Sequence, residues 1–193
     1  MVEVRRLVVA MSGASGQVLG IRLLEVLRDM PDVETHLVIS PAARATILHE
    51  TSWSPDAVQA LADVVYRPGD IGAAIASGSF RTMGMVIVPC SIKTLSAVAH
   101  SYASDVIVRA ADVTLKEGRP LILVVRETPL HVGHLRLMTQ AAEMGAVIFP
   151  PVPAFYERPR TVEDVVDGIV GRVLARLGIE NSLYREWTGM SGE

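Results

Sequence analysis

Short runs of valine, isoleucine and leucine alternate along the chain with stretches whose apolar residues fall three and four apart, the pattern of strands and amphipathic helices taking turns. The runs predict strands near residues 6–11, 35–39, 85–89, 121–126 and 146–149, with a weaker one at 64–66. They are apolar at consecutive positions, so both faces of the sheet must be covered, which calls for parallel strands with helices on either side. Helix starts are marked by Ser40-Pro41 and Ser54-Pro55, each a capping hydroxyl before a proline at the first helical position, and by Thr161 with Asp164, which approximates a capping box. The last predicted helix, over 162–177, stops at Gly178, and residues 179–193 show no period, as expected of a C-terminal tail that docks elsewhere or stays mobile. No repeat or linker interrupts the pattern. The expectation is one α/β domain over residues 1–193, a doubly wound, Rossmann-like parallel sheet in three layers.

Composition narrows the function. The 193 residues carry a net charge of −3 and a pI near 6.0, which leaves no basic surplus for sequence-independent nucleic-acid binding. Half of the residues are hydrophobic but only 5% are aromatic, and the mean hydropathy is +0.35. That is more apolar character than a water-exposed monomer needs, so buried contacts between copies are expected. No apolar run approaches a membrane span, and the amino terminus lacks the core and cleavage site of a signal peptide, so a cytoplasmic protein is expected. Cys90 is the single cysteine, which excludes an intrachain disulfide and any multi-cysteine metal site.

Candidate chemistry gathers where strands give way to helices. Gly13-Ala14-Ser15-Gly16 follows the first strand and opens a helix, where close backbone approach and free amides attract phosphate. Its spacing, Gly13, Gly16, Gly20, matches neither the dinucleotide fingerprint nor a P-loop, and Ser40 stands where a dinucleotide site would want an acid. A mononucleotide or bare phosphate fits better, against the alternative of a tight turn alone. Ser77-Gly78-Ser79 and Cys90-Ser91-Ile92-Lys93-Thr94 form a second group; Ser91 and Thr94 lie one helical turn apart, with capping the competing role. Cys90 reads as a packing residue and not a nucleophile. His131 and His134 lack a third ligand at metal spacing, so no metal is expected.

A third group is the segment 109–127, RAADVTLKEGRPLILVVRE. Arg109, Asp112 and Lys116 share one helix arc, and the buried strand after them carries Arg126 and Glu127 to its carboxyl end. The expectation is five charges converging on one rim, a site for an anionic small molecule, against the alternative of a solvated face. The proline-rich loop at 150–153 stiffens the approach to Tyr156, and Arg172 follows beside the apolar stripe of the last helix.

Taken together, GASG, IASGSF, GMVIVPCSIKTLSAVAHSY, RAADVTLKEGRPLILVVRETPLHVGHLRLM and GAVIFPPVPAFYERP resemble the flavin prenyltransferases of the UbiX type, over nearly the whole chain and in order. The resemblance implies a flavodoxin-like fold and transfer of a dimethylallyl group from dimethylallyl monophosphate to N5 and C6 of reduced FMN. The prenylated FMN would pass to a UbiD-type decarboxylase, as in ubiquinone biosynthesis or aromatic acid decarboxylation. It assigns Gly13, Ala14, Ser15, Ser40, Ser91, Ile92, Lys93, Thr94 and Arg126 to FMN. It assigns Ser77, Arg109, Lys116, Glu127, Tyr156 and Arg172 to the prenyl phosphate, with Glu50 and Trp187 near the reacting centre. Glu50, Lys116, Glu127 and Ser15 would be catalytic, without a metal, at sites where subunits meet in a dodecamer built from trimers. Leu19 and Gly118 depart from the family pattern, which has tyrosine and arginine there. The alternatives are an FMN-dependent cysteine-decarboxylase-like enzyme and a non-catalytic flavin carrier.

Overall fold

All six expected strands form: β1 (Arg5–Met11), β2 (Val33–Ile39), β3 (Val64–Tyr66), β4 (Gly84–Cys90), β5 (Leu121–Val125) and β6 (Val147–Ile148). They are seen in a computed structural model that describes residues 4–189. Every pairing is parallel, in the order β3-β2-β1-β4-β5-β6. The order turns back between β1 and β4, the switch point at which doubly wound sheets open a crevice beyond their carboxyl ends. β1 and β2 begin earlier than the apolar runs suggest because their polar ends pair across the sheet. Arg6 lies opposite Glu34 and bonds its carboxylate at 3.0 Å.

The chain divides into two compact units, Met1–Pro151 and Val152–Glu193. In the first, α1 (Gln17–Arg28), α2 (Pro41–Glu50), α3 (Pro55–Gln59), α4 (Ile92–Ala99), α5 (Val106–Lys116) and α6 (Val132–Glu143) accompany the sheet. Val8, Ala10, Met85, Ile87, Leu121 and Leu123 form one core with Leu95, Val98, Ile107 and Ala110 of α4 and α5. The alternate positions Leu7, Val9, Met11, Val86, Val88 and Ile122 are buried too, so the sheet is covered on both faces. Each large side chain buried in this way contributes roughly 1.5–3 kcal/mol. The capping signals act as expected, with Ser40 and Ser54 accepting from Ala43 and Ala57 amides at 3.1 Å.

In the second unit, α7 (Val162–Arg176) opens with the Thr161–Asp164 capping box. The segment after it folds back on the helix: Asn181 donates to the Gly171 carbonyl at 3.0 Å and accepts from the Leu183 amide at 3.1 Å. A side chain at Gly171 would meet Asn181 Oδ1 at 2.8 Å, so this contact needs glycine. No described helix is long and apolar enough to cross a membrane.

Gly20 carries the close packing of α1 on the sheet, since a Cβ there would stand 2.5 Å from the Val88 carbonyl oxygen and 2.8 Å from Met11 Cε. Backbone cannot give way as a side-chain end can. Gly20→Ala is expected to lower the unfolding free energy in urea by about 1–3 kcal/mol despite alanine's better helix propensity.

Candidate functional site

The carboxyl edge of the sheet is where the assigned residues concentrate. Gly13, Ala14 and Ser15 follow β1, Ser40 follows β2, Ser91 to Thr94 follow β4 and Arg126 follows β5. Ser12, which sequence reasoning passed over, joins the two loops at the switch point. Its buried hydroxyl donates to the Pro89 carbonyl at 3.0 Å and accepts from the Ser91 amide at 2.8 Å. The Ser12 amide also donates to the Pro89 carbonyl, at 3.1 Å. β4 makes room for this by a register irregularity against β5 between Ile87 and Cys90.

The glycine loop does not offer its helix amides to a ligand. Glu50, the last residue of α2, accepts from the Gly16 amide at 2.9 Å and the Gln17 amide at 3.2 Å, so a carboxylate of the chain itself fills the place expected of phosphate. Partial burial works to raise the Glu50 pKa. Hydrogen bonds from the Ser15 hydroxyl and those two amides, with the attraction of Arg126, outweigh it and hold the carboxyl below its ordinary 4.5. Ser15, Glu50 and Arg126 are thereby brought together. Gly13 serves close packing, because a Cβ there would lie 2.4 Å from the Ala42 Cβ.

The start of α4 is a different surface. Ser91 caps it, accepting from the Thr94 amide at 3.3 Å, and its hydroxyl lies 3.1 Å from that of Thr94. Lys93 is exposed on the first turn and Arg126 is exposed beyond β5. Two hydroxyls, a helix amino end and two cations form a donor set that suits the phosphate and hydroxylated chain of a flavin mononucleotide. Cys90, fully buried beneath this surface, has its thiol pushed up to about 12 by desolvation, which removes it as a nucleophile.

Ser77, Arg109 and Lys116 also come together, but elsewhere. Arg109 donates to the Ala76 carbonyl at 3.2 Å and pairs with Asp112 at 2.9 Å, while Lys116 pairs with Glu117 beside Gly78. The hydroxyls of Ser77 and Ser79 are 3.0 Å apart. Arg119, also unforeseen, fastens this loop, donating to the carbonyls of Gly78 at 2.7 Å and Phe80 at 2.9 Å. Phe80 meets the buried His36 ring edge-on at 5.1 Å. The pairing of Met83 with the Arg6 carbonyl and of Met85 with the Pro120 carbonyl sets the Lys116 end of this cluster at the amino edge of the sheet.

The expected convergence of five charges on one rim is therefore corrected. A helix that links parallel strands runs against them, so α5 delivers Lys116 to the foot of β5, whereas Arg126 and Glu127 leave its top. A five-residue strand, roughly 17 Å of chain, separates them. Glu127 accepts from the Thr128 amide at 3.0 Å. In the second unit, Tyr156 and Trp187 meet edge to face at 5.3 Å and line one cavity of about 430 Å³ with Arg158 and Arg185. Arg172 lies over the Tyr184 ring at 5.6 Å. His131 caps α6, accepting from the Gly133 amide at 3.0 Å, and the described residues hold no cluster suited to a metal.

Ser12 was legible as the first polar residue after a buried run. Gln17 was legible as a polar residue in the same helix stripe as Ile21 and Leu24.

The Flavoprotein family model matches residues 1–174. The chain is 61% identical over 187 residues to flavin prenyltransferase UbiX of Escherichia coli K12, covering 96% of this chain and 99% of that one. The crystal structure of AnUbiX (PadA1) in complex with FMN and dimethylallyl pyrophosphate superposes with a TM-score of 0.95 at 50% identity, covering 98% of this chain and all of that one (100%). A dodecameric FMN-dependent UbiX-like decarboxylase from Escherichia coli O157:H7 gives a TM-score of 0.93 at 51% identity, over 95% of this chain and 100% of that one.

The depressed pKa of Glu50 ties stability to pH. Its contribution is full above the ordinary 4.5 and is lost as pH falls through the lower folded value. Glu50→Gln is expected to unfold at lower urea than wild type at neutral pH, and the gap should close as the pH is stepped below 4.5. A gap that stays constant with pH would dissociate this carboxylate from the α1 amides.

Proposed function

The chain belongs to the flavin prenyltransferases of the UbiX type, and we propose that it joins a dimethylallyl group from dimethylallyl monophosphate to N5 and C6 of reduced FMN. The observation that carries this reading is the donor set at the start of α4, next to a loop already closed by its own carboxylate. FMN is the flavin, and its reduced ring supplies the nucleophilic atoms of the reaction. Ser40, Ser91, Ile92, Lys93, Thr94 and Arg126 are the proposed contacts to its phosphate and chain, with Gly13, Ala14 and Ser15 facing its ring. The product would be received by a UbiD-type decarboxylase, in the cytoplasm.

Breaking the allylic C–O bond sends its electron pair to the leaving phosphate, so cations already in place lower the barrier more than mobile ones would. Lys116 and Arg109 are the proposed cations, with Ser77 as a hydroxyl donor and Tyr156 and Arg172 as further donors. Glu50 is ionised at neutral pH and hydrogen-bonded to Ser15, which fits it to accept the C6 proton once the carbon–nitrogen bond at N5 has formed and the carbon–carbon bond at C6 closes the new ring, with Ser15 as the relay. Glu127 is the proposed proton donor to phosphate, and Trp187 a face for the allylic cation.

The two clusters of the first unit stand at opposite ends of β5. We propose that Ser77, Arg109 and Lys116 of one copy complete the carboxyl-edge site of another. The dodecameric relative supports this, as does α6, which buries only Ala141 fully and leaves Val132 and Leu135 at least half exposed.

Mass spectrometry after incubation with FMN, a reductant and dimethylallyl monophosphate is expected to show flavin heavier by one dimethylallyl group. Flavin of unchanged mass would mean a carrier. Lys116→Ala is expected to slow the reaction by about 100-fold with FMN binding intact. Chains carrying Lys116→Ala and chains carrying Glu50→Gln, each impaired alone, should recover activity when assembled together. No recovery would place both groups of each site in one chain.

A further inference from the structure

We infer that Gln17 is a positioning residue for the flavin: its buried carboxamide ties down the Ser12 and Ala14 carbonyl groups, so that the loop keeps these acceptors turned away from the ligand. This rests on the reading of the carboxyl edge as the flavin site. Gln17 is completely buried, and its Nε2 spends both hydrogens on that loop, reaching the Ser12 carbonyl at 2.8 Å and the Ala14 carbonyl at 2.7 Å. Packing does not call for a polar residue here. Its stripe on α1 continues through Ile21 and Leu24, and its own Oε1 is buried with no hydrogen-bonding partner. A methionine would fill the same volume without burying an unpaired acceptor.

The two bonds act on peptide groups, not on the ligand. With the carbonyls of Ser12 and Ala14 held inward, electron-rich oxygens are kept away from an electron-rich reduced flavin and from its phosphate. The Ser12 hydroxyl then stays on Pro89 and Ser91, which links the loop after β1 to the start of α4. One residue further, the Ser15 hydroxyl and the amides of Gly16 and Gln17 meet Glu50. Gln17 thus grips the loop with its side chain while its backbone holds the carboxylate.

Two variants separate this role from simple space filling. Gln17→Met keeps the volume and removes the donors, and it is expected to weaken FMN binding, read by quenching of flavin fluorescence, by about tenfold. Gln17→Glu should bind FMN progressively more weakly as the pH rises from about 5 to about 8, because a protonated carboxyl can donate to one carbonyl while a carboxylate repels both. Wild type and Gln17→Met should lack that trend. If Gln17→Met does not fold, the comparison of Gln17→Glu at the two ends of that range still reads the donor. Wild-type FMN affinity in Gln17→Met, or a pH-independent Gln17→Glu, would overturn the role of Gln17. Failure of the wild-type protein to bind FMN would instead remove the flavin-site reading beneath it.

Discussion

The hydroxyl of Ser12 spans the point where the sheet changes direction, and the geometry of the carboxyl edge depends on it. β1 and β4 are hydrogen-bonded neighbours whose following loops part company, one toward α1 and the other toward α4. Parting strands leave unpaired backbone groups, and these must find partners inside the protein or be exposed to water. Ser12 supplies a donor to Pro89, which has no amide of its own, and an acceptor to Ser91. The crevice can then be open to a ligand without being loose.

Connectivity imposes the second constraint. Parallel strands need helices that run back, so residues that are close in sequence but on either side of a strand end at opposite edges. Lys116 and Arg126 are such a pair. In the proposed reaction a chain that uses both would meet another copy of itself, and the exposed Val132 and Leu135 of α6 offer apolar surface for such a meeting.

Much of the fold was legible because the strands are buried on both faces and so read as unbroken apolar runs. Even the three-residue β3 was found, and the Ser-Pro and Thr-x-x-Asp signals marked helix starts correctly. The site was legible in its parts. Ser91 and Thr94 were found as a pair one helical turn apart, and they do meet at the start of α4. What could not be read was long-range satisfaction. Nothing local indicates that Glu50, 34 residues from Gly16, takes the amides that a phosphate would have used. Nor does helical periodicity show that the Arg109–Lys116 face and the Arg126 end point to different edges, since period fixes direction around a helix and not its place along a sheet.

The lone thiol of the chain has a further significance. Reduced flavin left in air generates hydrogen peroxide, which attacks thiolate far faster than thiol. Cys90 sits directly before the serine that caps α4, yet it is sealed from solvent and held almost wholly protonated at neutral pH. An enzyme whose acceptor is a reduced flavin thereby holds its single thiol away from the peroxide that flavin can generate.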